Sequence, residues 1–218
     1  MRHTIDARTE SLDAVVEMAA RTVYAGGTVI FPTDTVYGIG CDPQRIEAVD
    51  RIYGAKRRPG HKPLTLHLAS VSEFLEYAKE NPLAVLAARR LMPGPVALIV
   101  RRPSFVHAEV TSGLATLGFR VPDDPLCRAL LERCGPLAAT SANASGELPY
   151  RGDADPEALP PADLFIENGL TRYGTESTVI DLSGDVPRLL REGVIGYDRL
   201  TELLGRMERV AVPVRTNT

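Results

Sequence analysis

The stretch FPTDTVYGIG, residues 31–40, carries three hydroxyls spaced two apart, on Thr33, Thr35 and Tyr37. In extended backbone alternate residues share a face, so the three could line one wall. An ordinary strand exit with its hydroxyls in water fits the same residues. A second tract, AATSANASG (138–146), repeats the pattern: small apolar residues run into Thr140, Ser141, Asn143 and Ser145. Small residues let a ligand approach the backbone, and hydroxyl and carboxamide groups supply directional donors and acceptors. Residues 51–62 hold Arg51, Lys56, Arg57, Arg58 and Lys62 with no acid among them. If the chain is extended just after Gly54, Lys56 and Arg58 project to one side and Arg57 to the other. An ammonium beside a guanidinium fork suits a polyphosphate, and a solvated basic loop is the plainer alternative.

Further along, His67 alternates with Thr65 on LTLHL, Arg120 closes TLGFR, and Ser177, Thr178 and Arg191 fall at expected strand ends. Ligands of open α/β sheets sit in crevices at strand ends. The hydroxyl-rich strand ends and the cations Lys56, Arg58, Arg120 and Arg191 therefore suggest one polar pocket for a small anionic ligand. Neither GxxxxGK[ST] nor GxGxxG occurs, so a nucleotide would have to be held by cationic side chains. His3, His61 and His107 share no ligand spacing with His67, and no metal site is expected.

The elements that must position these groups alternate. A helix is expected after Ser11, with Leu12, Val15, Val16, Ala19 and Val23 at helical spacing and Gly26–Gly27 closing it. Strand candidates follow at 28–31, 63–69, 96–100, 116–121, 137–142 and 177–182. A helix capped by Asp42 with Pro43 at its first position should end near Gly54. Further helical patterns lie near 72–79, 82–92 and 124–133. This alternation predicts an α/β sheet. The Pro-, Gly- and acid-rich segment 146–161 reads as a surface loop or as a lid over a site.

Length and composition bound the class. The 218 residues suit a single domain over 1–208 with a short tail at 209–218. A net charge of −3, 6% aromatics and no tryptophan weigh against a protein built to bind RNA, the main alternative class. No apolar run is long enough to span a bilayer and MRHTIDARTE has no signal-peptide core, so a cytoplasmic protein without membrane contact is expected. Cys41, Cys127 and Cys134 read as small buried thiols.

Taken in order, FPTDTVYGIG, AKRRPGHKPLTLHL, MPGPVALIV, GFRVPDDP, TSANASG, STVIDLSG and LLREGVI resemble the Sua5/YrdC family, the threonylcarbamoyl-AMP synthases, over residues 10–196. The resemblance implies a twisted, mostly open α/β sheet with helices and a large concave cavity. It implies an enzyme joining L-threonine, bicarbonate or CO2 and ATP into threonylcarbamoyl-AMP, with release of pyrophosphate. A separate threonylcarbamoyl transferase would then modify tRNA. By motif, Lys56, Arg58, Ser141, Asn143 and Arg191 would hold ATP, and Thr33, His67, Arg120 and Ser177 would hold threonine. Mg²⁺ would be bound mainly through the ATP phosphates, and no residue is named as base or nucleophile. Asp34 stands where many relatives have Glu, a change expected to be neutral. The extra C-terminal domain of the longer Sua5 type is expected to be missing. An RNA-binding module using a basic concave surface, with direct contact to tRNA or double-stranded RNA, is the alternative function.

Overall fold

The computed structural model describes residues 2–57, 60 and 62–210. Arg58, Pro59, His61 and residues 211–218 lie outside the described residues, so the expected role of Arg58 and most of the expected tail have no structural account.

Among the described residues, eleven strands form one mixed sheet. They are β1 (His3–Asp6), β2 (Val29–Phe31), β3 (Gly38–Cys41), β4 (Thr65–His67), β5 (Val96–Arg101), β6 (Thr116–Arg120), β7 (Leu137–Ser141), β8 (Leu164–Glu167), β9 (Thr178–Asp181), β10 (Arg188–Arg191) and β11 (Glu208–Arg209). Their order is β1-β8-β2-β3-β7-β4-β6-β5-β9-β10-β11, so β1 and β11 are open edges. Six helices accompany them: α1 (Leu12–Tyr24), α2 (Ile46–Ala55), α3 (Val71–Ala78), α4 (Pro82–Leu91), α5 (Pro125–Cys134) and α6 (Tyr197–Leu204).

Helix α1 begins where expected, with the Ser11 hydroxyl accepting from the Ala14 N–H at 3.2 Å. Helix α2 does not. Asp42 spends its carboxylate on the Gln44 N–H at 2.8 Å, an Asx turn, and the helix starts only at Ile46. The backbone after Gly54 is not extended either. Lys56 is helical and Arg57 is left-handed at φ 47°, so the expected extended alternation does not hold for these two residues.

The two sheet faces are covered unequally, and that positions the site. One face presents Ile39, Leu66, Leu98, Phe119, Ile180 and Leu189 to the apolar stripes of α2, α3, α4 and α6. The alternate residues Val29, Phe31, Leu137, Leu164 and Ile166 point the other way, under α1 and α5. Further along this second face the strands turn small. In register lie Gly38 with Ser141, Thr65 with both Ala139 and Gly118, Gly118 with Ile99, and Ala97 with Val179. Among the described residues no helix lines this stretch, which becomes the floor of a concave cavity. No helix among them is long and apolar enough to cross a membrane.

Candidate functional site

The cavity holds ≈ 320 Å³, at the lower end of the ~300–1,000 Å³ usual for small-molecule sites. Its wall includes Thr33, His67, Arg120, Ser141, Ser177 and Arg191, six of the nine residues expected there, drawn from four strands and two loops. Lys56 and Asn143 stand behind that wall.

At one end the PTDTVY tract is a tight turn rather than an extended wall. The Thr33 hydroxyl donates to the Val36 carbonyl at 2.6 Å and accepts from the Thr35 N–H at 3.1 Å. Arg120, buried at the end of β6, donates to the Thr35 hydroxyl at 2.7 Å and to Asp34 Oδ1 at 2.5 Å. Tyr37 leaves the group: its hydroxyl donates to the Gly169 carbonyl at 2.8 Å and accepts from the Asn168 N–H, inside the core. Thr33, Thr35 and Tyr37 all border the cavity, as their spacing suggested, but the Tyr37 hydroxyl is turned away from the other two. Two organise the turn around Arg120, and the third ties the turn to the 168–169 segment.

His67 lies in register with Arg120 and packs edge-on against Phe31, with ring centroids 6.1 Å apart. Burial, reinforced by the Arg120 charge, pushes its pKa down to about 3, so the imidazole is neutral near pH 7. Burial also pulls the Arg120 pKa below the ordinary arginine value, opposed by Asp34. Arg120 is thus the buried cation at this end of the cavity, paired with Asp34, and His67 presents a neutral ring beside it.

At the other end Arg191 donates to the Ser177 carbonyl at 3.0 Å, to the Ser177 hydroxyl at 3.1 Å and to Glu176 at 2.7 Å. The neighbouring turn fixes this cluster. Thr178 accepts the N–H groups of Gly193 and Ile195, and the Gly193 Cα packs directly on the 176–178 backbone. A Cβ at Gly193 would stand 2.2 Å from the Glu176 carbonyl oxygen.

Lys56 is only 1% exposed, and its ammonium donates to the carbonyls of Ser141 and Asn143. The Ser141 hydroxyl in turn donates to Asn143 Oδ1 at 2.5 Å. Lys56 and Asn143 thus shape the Ser141 corner of the cavity from behind. Among the described residues no group of three or more His, Cys, Asp or Glu side chains could hold a metal ion.

Two carboxylates escaped the sequence reading. Asp34, noted only as standing where many relatives have Glu, is the ion partner of Arg120. Glu176, one residue before Ser177, lines the cavity. The available signal was charge balance, because a buried arginine requires a carboxylate nearby.

The Sua5/YciO/YrdC family model, described as telomere recombination, matches residues 21–193. The chain belongs to the Sua5/YciO/YrdC family. It is 37% identical over 202 residues to the threonylcarbamoyl-AMP synthase of Bacillus subtilis, covering 88% of this chain and 57% of that protein. To the threonylcarbamoyl-AMP synthase of Pyrococcus abyssi it is 38% identical over 197 residues, covering 88% of this chain and 58% of that one. The chain therefore spans little more than half the length of these family members. The crystal structure of P. abyssi Sua5 complexed with L-threonine superposes with a TM-score of 0.82 at 32% identity, over 96% of this chain and 62% of that one. The open Sua5/YciO/YrdC sheet expected from the motifs is the fold observed.

Proposed function

We propose that this protein is a threonylcarbamoyl-AMP synthase, consuming L-threonine, bicarbonate or CO2 and ATP and releasing pyrophosphate. The observation that carries this reading is the bare sheet face on which Arg120, His67, Thr33 and Ser177 meet Ser141 and Arg191 in one cavity. Its likeness to a Sua5 that binds L-threonine supports the amino-acid half.

In this reading Arg120 pairs with the threonine carboxylate, and Thr33 and Ser177 surround the rest of the amino acid. The α-ammonium of threonine first gives up a proton to bicarbonate or water; the neutral amine then adds to CO2, a C–N bond forms, and the nitrogen loses a second proton to solvent. A carbamate oxygen then attacks the α-phosphorus, the bond to the β-phosphate breaks, and pyrophosphate leaves. Arg191, Ser141 and, from behind, Lys56 and Asn143 shape the nucleotide end; Arg58 is assigned there by motif alone. Such chemistry asks the protein chiefly for positioning, worth about 7–11 kcal/mol in well-oriented systems.

Mg²⁺ is proposed to travel with ATP. A hard, strongly hydrated ion takes phosphate oxygens and water, which requires no protein cage. The product would pass to a separate transferase acting on tRNA, in the cytoplasm, where the three unpaired cysteines remain thiols. Burial of the Lys56 ammonium removes one cation of the 51–62 segment from any RNA-facing surface, which favours the enzymatic reading over an RNA-binding module.

The test is incubation with ATP, bicarbonate and single amino acids, following pyrophosphate and the adenylate by mass spectrometry. Turnover should require bicarbonate and amino acid together. Threonine should exceed serine by about 10- to 200-fold, the worth of one methyl in a complementary pocket. Valine should be worse still, since it leaves hydroxyl-binding groups unpaired. ATP consumption indifferent to bicarbonate would sink the reading.

A further inference from the structure

Two arginines that line the cavity are ion-paired, and the pairs differ in burial. Arg120 and Asp34 meet at 2.5 Å with side chains 6% and 0% exposed. Arg191 and Glu176 meet at 2.7 Å with side chains 42% and 39% exposed. The first is buried, although Arg120 still borders the cavity. The second is exchangeable: an ion pair this open to water holds its partners together by about fivefold or less.

Arg191 is also anchored independently of Glu176. Its Nε and Nη2 rest on the carbonyl and hydroxyl of Ser177, and only Nη1 goes to the carboxylate. The guanidinium can change its anionic partner without moving. Glu176 is equally prepared, because its backbone is pinned by the Val194 N–H and by the close approach of Gly193 while its carboxylate stays half-exposed. A triphosphate brought to Arg191 would displace the weaker anion and leave the Glu176 carboxylate beside a polyanion without a cation. An amino acid seated next to Ser177 carries that missing cation as its α-ammonium.

Resting on the functional reading above, we propose that Arg191 exchanges Glu176 for the triphosphate and that the released Glu176 carboxylate takes the α-ammonium of the amino acid. Each substrate then completes the site for the other. Coupling of this kind is reciprocal: threonine tightens nucleotide binding by the factor by which nucleotide tightens threonine binding.

The experiment is calorimetric titration of the full chain with L-threonine and with α,β-methylene-ATP, each alone and in the presence of the other. Wild-type protein should show a coupling factor of about fivefold, equal in both directions. Glu176→Gln should bind the analogue alone about two- to fivefold tighter, because nothing competes for Arg191, and threonine alone more weakly. Its coupling factor should fall to one, and Glu176→Asp, which keeps the charge, should retain part of it. Opposite movements of the two affinities are a signature that simple loss of structure does not produce. A wild-type coupling factor of one, or a Glu176→Gln protein that weakens toward both ligands, overturns the exchange, even if pyrophosphate release stands. If wild-type protein binds neither ligand, the functional reading falls and takes the exchange with it.

Discussion

Arg120 and Asp34, 86 residues apart, form a buried ion pair at 2.5 Å beside the cavity floor. The second carboxylate oxygen of Asp34 has no hydrogen-bond partner among the described residues. Removing one member of such a pair strands a buried charge, at a cost of about 3–5 kcal/mol, whereas removing both costs far less. Asp34→Ala should therefore lower unfolding stability by about that amount in urea titration. The double variant Asp34→Leu with Arg120→Met should recover most of the stability yet still fail to bind threonine. Equal stability of single and double variants would show that the pair is not what orders this corner.

His67 gives a pH prediction with a definite sign. Its folded pKa of about 3 lies below its ordinary value of 6.5, so between those values the unfolded chain holds the proton and the folded chain does not. Stability should rise with pH across that window and be lost as pH falls through it. The slope from this one group is at most about 1.4 kcal/mol per pH unit. Urea unfolding at pH 5 and pH 7 should show a shallower dependence in His67→Leu than in wild type; an unchanged slope would mean that His67 is protonated in the folded protein.

Two glycines of the site should respond in opposite ways. At Gly193 a Cβ would meet backbone atoms at 2.2 and 2.6 Å, so Gly193→Ala must displace the 176–178 segment. A loss of about 1–3 kcal/mol or more is expected, with weakened binding of both substrates. At Gly118 the nearest atom to a Cβ is the Thr65 hydroxyl at 3.4 Å, an ordinary contact. Gly118→Ala should gain up to about 0.5–1 kcal/mol from the strand preference for alanine, while its methyl intrudes on the cavity floor and weakens threonine binding. Thermal unfolding and titration calorimetry on the two proteins separate the effects.

Lys56 and Arg57 are neighbours with contrasting roles. Lys56→Met leaves the Ser141 and Asn143 carbonyls without that donor, and about 1–3 kcal/mol of stability should go with it. Catalytic efficiency toward ATP should fall roughly 10- to 150-fold as the Ser141 corner loosens. Arg57 is exposed and left-handed at φ 47°, a conformation that costs a non-glycine residue about 1–2 kcal/mol. Arg57→Gly should therefore be as stable as wild type or up to about 1 kcal/mol more stable, with turnover within about twofold. A large loss of turnover in Arg57→Gly would place its guanidinium on a substrate.

Much of the molecule was legible residue by residue. Ser11 marks the start of α1, and the spacing of Val15, Val16, Ala19 and Val23 marks its buried face, because capping and helical periodicity are local. Strands β2, β4, β5, β6, β7 and β9 announced themselves by β-branched and apolar runs. Strand β3 did not: Gly38, Ile39, Gly40 and Cys41 carry little strand preference and are held by pairing with β2 and β7. Strand β8 and helix α6 also went unread, their short apolar patterns lying among loop-like residues.

The site residues divide the same way. Their types could be read from the chain, since hydroxyls and cations at strand ends indicate a polar cavity whatever the fold. Their partners could not. Whether Arg120 finds Asp34, whether Arg191 finds Glu176, and whether Lys56 turns inward to the Ser141 and Asn143 carbonyls depend on the registers of strands and turns far apart in the chain. A cation's own sequence position says nothing about which distant anion or carbonyl it will meet. Only the assembled sheet, with part of one face bare of helices among the described residues, decided which charges are paired in the interior and which stand open to water.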